Sequence, residues 1–112
     1  MTKRNISILT QEIARRLDPL SLEKVVLFGS IARGEDTPDS DIDLYVVTRD
    51  DKIPESWGEK NSIYLSVARQ LRDLRKQYPI DLIVHTKAMY NQFVLRKSAM
   101  ADEILNNGIT IL

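Results

Sequence analysis

Apolar residues recur at helical spacing over residues 4–18, where Ile6, Leu9, Ile13 and Leu17 share a face and Arg15 and Arg16 lie outside it. Pro19 stops that helix. Lys24-Val25-Val26-Leu27-Phe28 is a short unbroken apolar run, the pattern of a buried strand, and it closes on Gly29-Ser30. Residues 30–40 read as a short helical turn followed by a polar loop, punctuated by Gly34 and Pro38. Over 41–48 the pattern alternates. Ile42, Leu44 and Val46 take one face of a strand; Asp41, Asp43 and Tyr45 take the other. Residues 49–60 are polar, contain Pro54 and Gly58, and read as a loop.

A long amphipathic helix is expected over about 61–77. Tyr64, Val67, Ala68, Leu71, Leu74 and Tyr78 form its apolar stripe, opposite Arg69, Arg72, Asp73, Arg75 and Lys76. After Pro79, Ile80-Asp81-Leu82-Ile83-Val84 reads as a third strand. Thr86 can cap a helix that begins near Lys87 and runs to Asn107, with a break near Lys97-Ser98. Gly108 supplies the stop, and Ile109-Thr110-Ile111-Leu112 fits a small edge strand.

Helices and strands therefore alternate, which predicts an α/β fold: a small mixed sheet of about four strands flanked by helices, in a single domain over residues 1–112. The first two strands have a short link and should be antiparallel; the second and third are joined through a helix and should be parallel. That topology brings Gly29-Ser30, at the end of the first strand, beside the starts of the other two. Those starts carry Asp41, Asp43 and Asp81.

Composition narrows the chemistry. The 112 residues hold 16 Lys+Arg and 16 Asp+Glu, a formal net charge of zero, which argues against a protein that grips phosphate backbones by bulk charge. With no cysteine there are no disulfides, zinc thiolates or cysteine nucleophiles. His85 is the one histidine and cannot build an all-histidine metal cage. No apolar run approaches the ~20 residues of a membrane span. The start, Met1-Thr2-Lys3-Arg4-Asn5, is not a signal-peptide core. These features predict a reduced, soluble, cytoplasmic protein.

The acids are the candidate site. Asp41 and Asp43 lie two apart on a strand, about 6.6–6.8 Å between alpha carbons, on one face. Carboxylates this close repel, and a divalent cation resolves the repulsion. Hard oxygen donors in small number suit Mg²⁺, which keeps water and takes phosphate oxygens as further ligands. Asp81 can add a third carboxylate, enough for two ions about 3.5–4 Å apart, the arrangement that clamps the attacking and leaving oxygens of a phosphoryl transfer. Gly29-Ser30 stands at a strand-to-helix turn whose free N–H groups favour a phosphate. Arg33 carries a fork suited to a triphosphate oxygen.

Each feature alone has an ordinary reading: a solvated strand start, a tight turn, a surface arginine. A calcium loop through Asp39, Asp41 and Asp43 fails because the position that needs glycine is Leu44. The joint pattern is Gly-Ser, ten residues from Ile31 to Ser40, Asp-x-Asp, and then a third aspartate opening the strand after a helix. Four separate coincidences at one sheet end are a poor explanation of it.

The stretch Phe28-Gly29-Ser30-Ile31-Ala32-Arg33-Gly34…Ser40-Asp41-Ile42-Asp43-Leu44 resembles the signature of the DNA polymerase beta-like nucleotidyltransferase superfamily. Asp81, in Pro79-Ile80-Asp81-Leu82, matches the third family carboxylate, and Gly108-Ile109-Thr110-Ile111 resembles the close of the minimal nucleotidyltransferase (MNT) branch. The resemblance implies transfer of a nucleoside monophosphate from a triphosphate such as ATP, with pyrophosphate leaving. It implies Asp41 and Asp43 as ligands of magnesium ions, and Asp81 as the third ligand near the attacking hydroxyl. Gly29 and Ser30 become the triphosphate cradle, assisted by Arg33. It further implies a partner, a HEPN-domain ribonuclease toxin silenced by AMP added to a tyrosine.

At 112 residues no separate acceptor-binding domain is expected, which predicts a bound partner that supplies and orients the acceptor hydroxyl. Met89, Tyr90, Phe93, Val94, Leu95 and Met100 form an apolar set that either docks this partner in a hetero-oligomer or packs as core. Two other readings compete: an antitoxin that neutralises by binding alone, and a transferase acting on RNA or a small molecule. His85 reads as a structural strand-end residue. Trp57 fits either a nucleotide-facing or a packed position. Arg69, Arg72, Arg75 and Lys76 read as a solvated face, with nucleic-acid contact as the alternative.

Overall fold

The computed structural model describes residues 6–37 and 39–112. The expectations for residues 1–5 and for Pro38 lie outside the described residues. Helix α1, Ile6–Leu17, buries Leu9, Ile13 and Leu17 and ends in a 3₁₀ turn at Asp18–Leu20 that contains Pro19. Strands β1, Lys24–Phe28, and β2, Ile42–Val47, follow. Helix α2, Trp57–Ala68, passes through a 3₁₀ turn at Arg69–Leu71 into α3, Arg72–Gln77. Strand β3 is Ile80–His85, α4 is Lys87–Arg96, α5 is Ala99–Asn107, and β4 is Ile109–Thr110. The sheet order is β3-β2-β1-β4. As the sequence predicts, β1 and β2 are antiparallel, β2 and β3 parallel, and β4 lies at an edge against β1.

Three local expectations need correction. The expected loop over 49–60 holds the first turn of α2. Ser56 caps it, accepting a hydrogen bond from the Glu59 N–H at 3.1 Å, and Gly58 sits inside that turn despite its low helix propensity. The single helix expected over 61–77 is two helices with the 3₁₀ turn between them, because a continuous apolar stripe does not distinguish the two windings. Gly108 is not left-handed; its φ is −76°. Glycine is needed there for space, since a Cβ would meet the Ile104 carbonyl and the Val26 side chain. The left-handed helix end belongs to Lys97, φ 51°, in the break expected between α4 and α5.

The sheet separates two cores. On one face α1, α2 and α3 pack Leu9, Ile13, Leu17, Val67, Leu71 and Leu74 against Val25, Leu27, Ile42, Leu44 and Val46. On the other, Val26, Phe28, Tyr45 and Val47 meet Ile104, with Ile83, Tyr90 and Phe93 against them. Tyr90 and Phe93 of the expected apolar set are therefore packed, whereas Leu95 is 79% and Met100 49% exposed. No described helix is long and apolar enough to cross a membrane.

Candidate active site

The β2–β3 register pairs Asp43 directly with Asp81, and the β1–β2 register pairs Asp43 with Phe28. Gly29 follows Phe28, so the Gly29-Ser30 turn and two aspartates meet at one sheet end. Alternation puts Asp43 and Asp81 on the face of Tyr45, Ile83 and His85, the face covered by α4 and α5. Asp41 lies one residue before β2 and is exposed; Asp43 is half-buried.

Gly29 is buried with φ +80°, and a Cβ there would run into the Asp43 carboxylate. Only glycine lets the chain turn this close to the acid. The turn closes through Arg33 N–H to the Gly29 carbonyl at 3.1 Å, Gly34 N–H to Ile31 at 3.1 Å and Glu35 N–H to Ser30 at 2.9 Å. It is one turn, and the helix expected to follow the strand at this point does not form. The N–H groups of Ser30, Ile31 and Ala32 are not among those that close the turn, and N–H groups at such a turn favour an anion.

Burial raises the Asp43 pKa, and the charges of Asp81, Asp41 and Glu103 raise it further; Arg33 opposes them. Glu103, on α5, was not among the residues that the sequence pattern singles out. It ion-pairs with Arg33, which also meets Glu35 at 3.2 Å through Nε. The Arg33 fork is thus held by two carboxylates at the mouth of the site.

The acids fit a hard divalent cation by their chemistry, oxygen donors whose mutual repulsion falls on Asp43. Among the described residues no three His, Cys, Asp or Glu side chains are grouped to hold one ion.

His85 and Trp57 resolve differently from the acids. His85 Nδ1 lies 2.7 Å from the Tyr45 hydroxyl and its ring stands edge-on to Tyr45 and Phe93, a packed position. Trp57 is 77% exposed at the start of α2.

The family model for polymerase beta nucleotidyltransferases matches residues 10–112. The chain belongs to that family. No curated protein sequence matches this nucleotidyltransferase. Its fold recurs in solved structures of low identity. A chain of a toxin–antitoxin complex with AMP-PNP superposes with TM-score 0.59 at 20% identity, over 92% of this chain and 72% of that one. A Sulfolobus solfataricus protein described as a nucleotidyltransferase gives 0.57 at 20% identity, over 98% and 89%. A chain from the complex of tri-AMPylated Shewanella oneidensis HEPN toxin with MNT antitoxin gives 0.54 at 16%, over 95% and 71%.

Proposed function

We propose that this nucleotidyltransferase is a minimal (MNT-type) antitoxin that transfers AMP from ATP to a hydroxyl, a tyrosine of a HEPN-domain toxin, in the cytoplasm. The observation that carries the reading is the pairing of Asp43 with Asp81 beside the Gly29 turn. Asp41, Asp43 and Asp81 would hold Mg²⁺, whose charge would stabilise the oxygens of the transferring phosphoryl group. The N–H groups of Ser30, Ile31 and Ala32 with the Ser30 hydroxyl bind the triphosphate tail. Arg33 turns from Glu103 and Glu35 to the same tail when the anion arrives. Asp81, on the edge strand β3, is placed to orient an incoming acceptor hydroxyl. Fold neighbours from toxin–antitoxin complexes, one with an ATP analogue, support the choice of nucleotide and partner. Exposed Leu95 and Met100 beside the α4–α5 break support a partner docked there.

The test is intact-mass measurement of the co-purified partner after incubation with ATP and Mg²⁺. An AMP-sized gain is expected, abolished by Asp43→Asn. No gain with an active partner refutes the enzymatic reading. A second reading, neutralisation by contact alone, is favoured by the occupied Arg33 fork. It predicts that Asp41→Asn/Asp43→Asn still silences the partner.

A further inference from the structure

A second charged surface lies on the opposite face of the sheet from Asp43, where α2 and α3 pack on Ile42, Leu44 and Val46. From Lys60 to Gln77 the chain carries five cations (Lys60, Arg69, Arg72, Arg75, Lys76) against one acid, Asp73. This stretch is strongly positive within a chain of zero net charge.

The winding gathers these charges. In an α-helix residues three apart diverge by about 60° around the axis. Arg69 opens the 3₁₀ turn and Arg72 follows it. In that winding residues three apart eclipse, so the two arginines stand one above the other. Arg75 comes one turn later. Together with Leu65 and Ala68 the three arginines line a cleft of about 350 Å³. Arg15, Arg16, Arg33 and Arg49 each pair with a glutamate, whereas among the described residues none of these three forms an ion pair. Arg75 is steadied at 3.4 Å from both the Tyr64 hydroxyl and the Ile80 carbonyl.

We propose that this cleft is a second phosphate-binding site, which takes a nucleotide or the end of a single-stranded nucleic acid. Three guanidinium groups without ion-pair partners line one cleft, and a phosphate can use their planar forks. The cleft is open to solvent on one side, which suits a phosphate that keeps part of its hydration. Leu65 and Ala68 give an apolar floor for a base or sugar, which a string of carboxylates does not need.

The experiment titrates the full-length, ¹⁵N-labelled protein with AMP and with a short oligoadenylate, in EDTA, following backbone amide shifts. Shifts are expected across residues 65–76 and should persist in Asp43→Asn, which separates this site from the proposed catalytic one. Arg69→Gln/Arg72→Gln should weaken binding at least tenfold; Arg75 is left in place because it holds Tyr64 and Ile80. Should the double variant lose its fold, Arg72→Lys, which keeps the charge and loses the fork, should still weaken binding. Saturation by AMP identifies free nucleotide as the source. Binding of the oligonucleotide alone identifies a strand end, and the steepness of log K against log salt should then drop by about 0.7 for each phosphate that a variant no longer neutralises. Shifts confined to residues 29–33, unchanged binding in the variants, or equal binding of poly-glutamate would each overturn the proposal.

Discussion

Asp43 shows at single-residue scale what the site costs the fold. It is half-buried, and burial, Asp81, Asp41 and Glu103 all disfavour its charge. An acid whose pKa is raised on folding binds its proton more tightly in the folded state. In metal-free buffer its contribution to stability is therefore most favourable below the ordinary carboxylate range, and it is lost as pH rises through the raised folded value. Asp43→Asn should accordingly raise the thermal midpoint at pH 7, and the gain should vanish as pH falls to the carboxylate range. Thermal unfolding of both proteins across pH checks this; an unchanged or lowered midpoint at pH 7 would refute it. Asp43 was legible in the sequence because its spacing from Gly29-Ser30 is local. Glu103 was not: it reaches Arg33 across 70 residues, and no local pattern encodes that contact.

At the scale of elements, caps decide where helices begin. Ser98 accepts the Ala101 N–H at 3.1 Å and starts α5, the helix that brings Glu103 to Arg33. Ser98→Ala should cost about 1 kcal/mol, read as a lower denaturant midpoint with an unchanged slope. A loss near zero would mean that packing of Ile104 alone fixes the helix start. The sequence showed Thr86 as a cap because it follows an apolar strand directly, and Thr86 Oγ1 does accept the Met89 N–H at 3.1 Å. Ser56 was hidden by Pro54 and Gly58, which read as loop punctuation although the capping serine lies between them. The 3₁₀ turn was hidden for a different reason. Val67, Leu71 and Leu74 face the core in either winding, so burial constrains the stripe and not the pitch.

Across the whole molecule the two faces of the sheet are unequally covered. Helix α1 buries three of its residues fully, α5 buries two and α4 none. The acids lie under the thinner layer, so the side that would admit substrate in the proposed reaction is also the side with least apolar burial. The alternation of apolar and acidic positions in β2 foretold which face the acids take, but the uneven covering depends on how completely each helix buries its apolar side chains, which periodicity does not carry. Regions with little buried apolar surface open locally at low free energy. Native-state hydrogen exchange should thus show α4 amides exchanging through local opening well before those of β1, β2 and α1, with α5 between them. Because Glu103 rides on α5 and Arg33 does not, opening of α5 also removes one of the two carboxylates that hold the Arg33 fork and leaves Glu35 alone against it. The Arg33 and Glu35 region should then lose protection in step with α5. Uniform exchange by global unfolding, with α4 as slow as α1, would show that the thin layer is held as firmly as the thick one and that release of Arg33 needs a ligand to drive it.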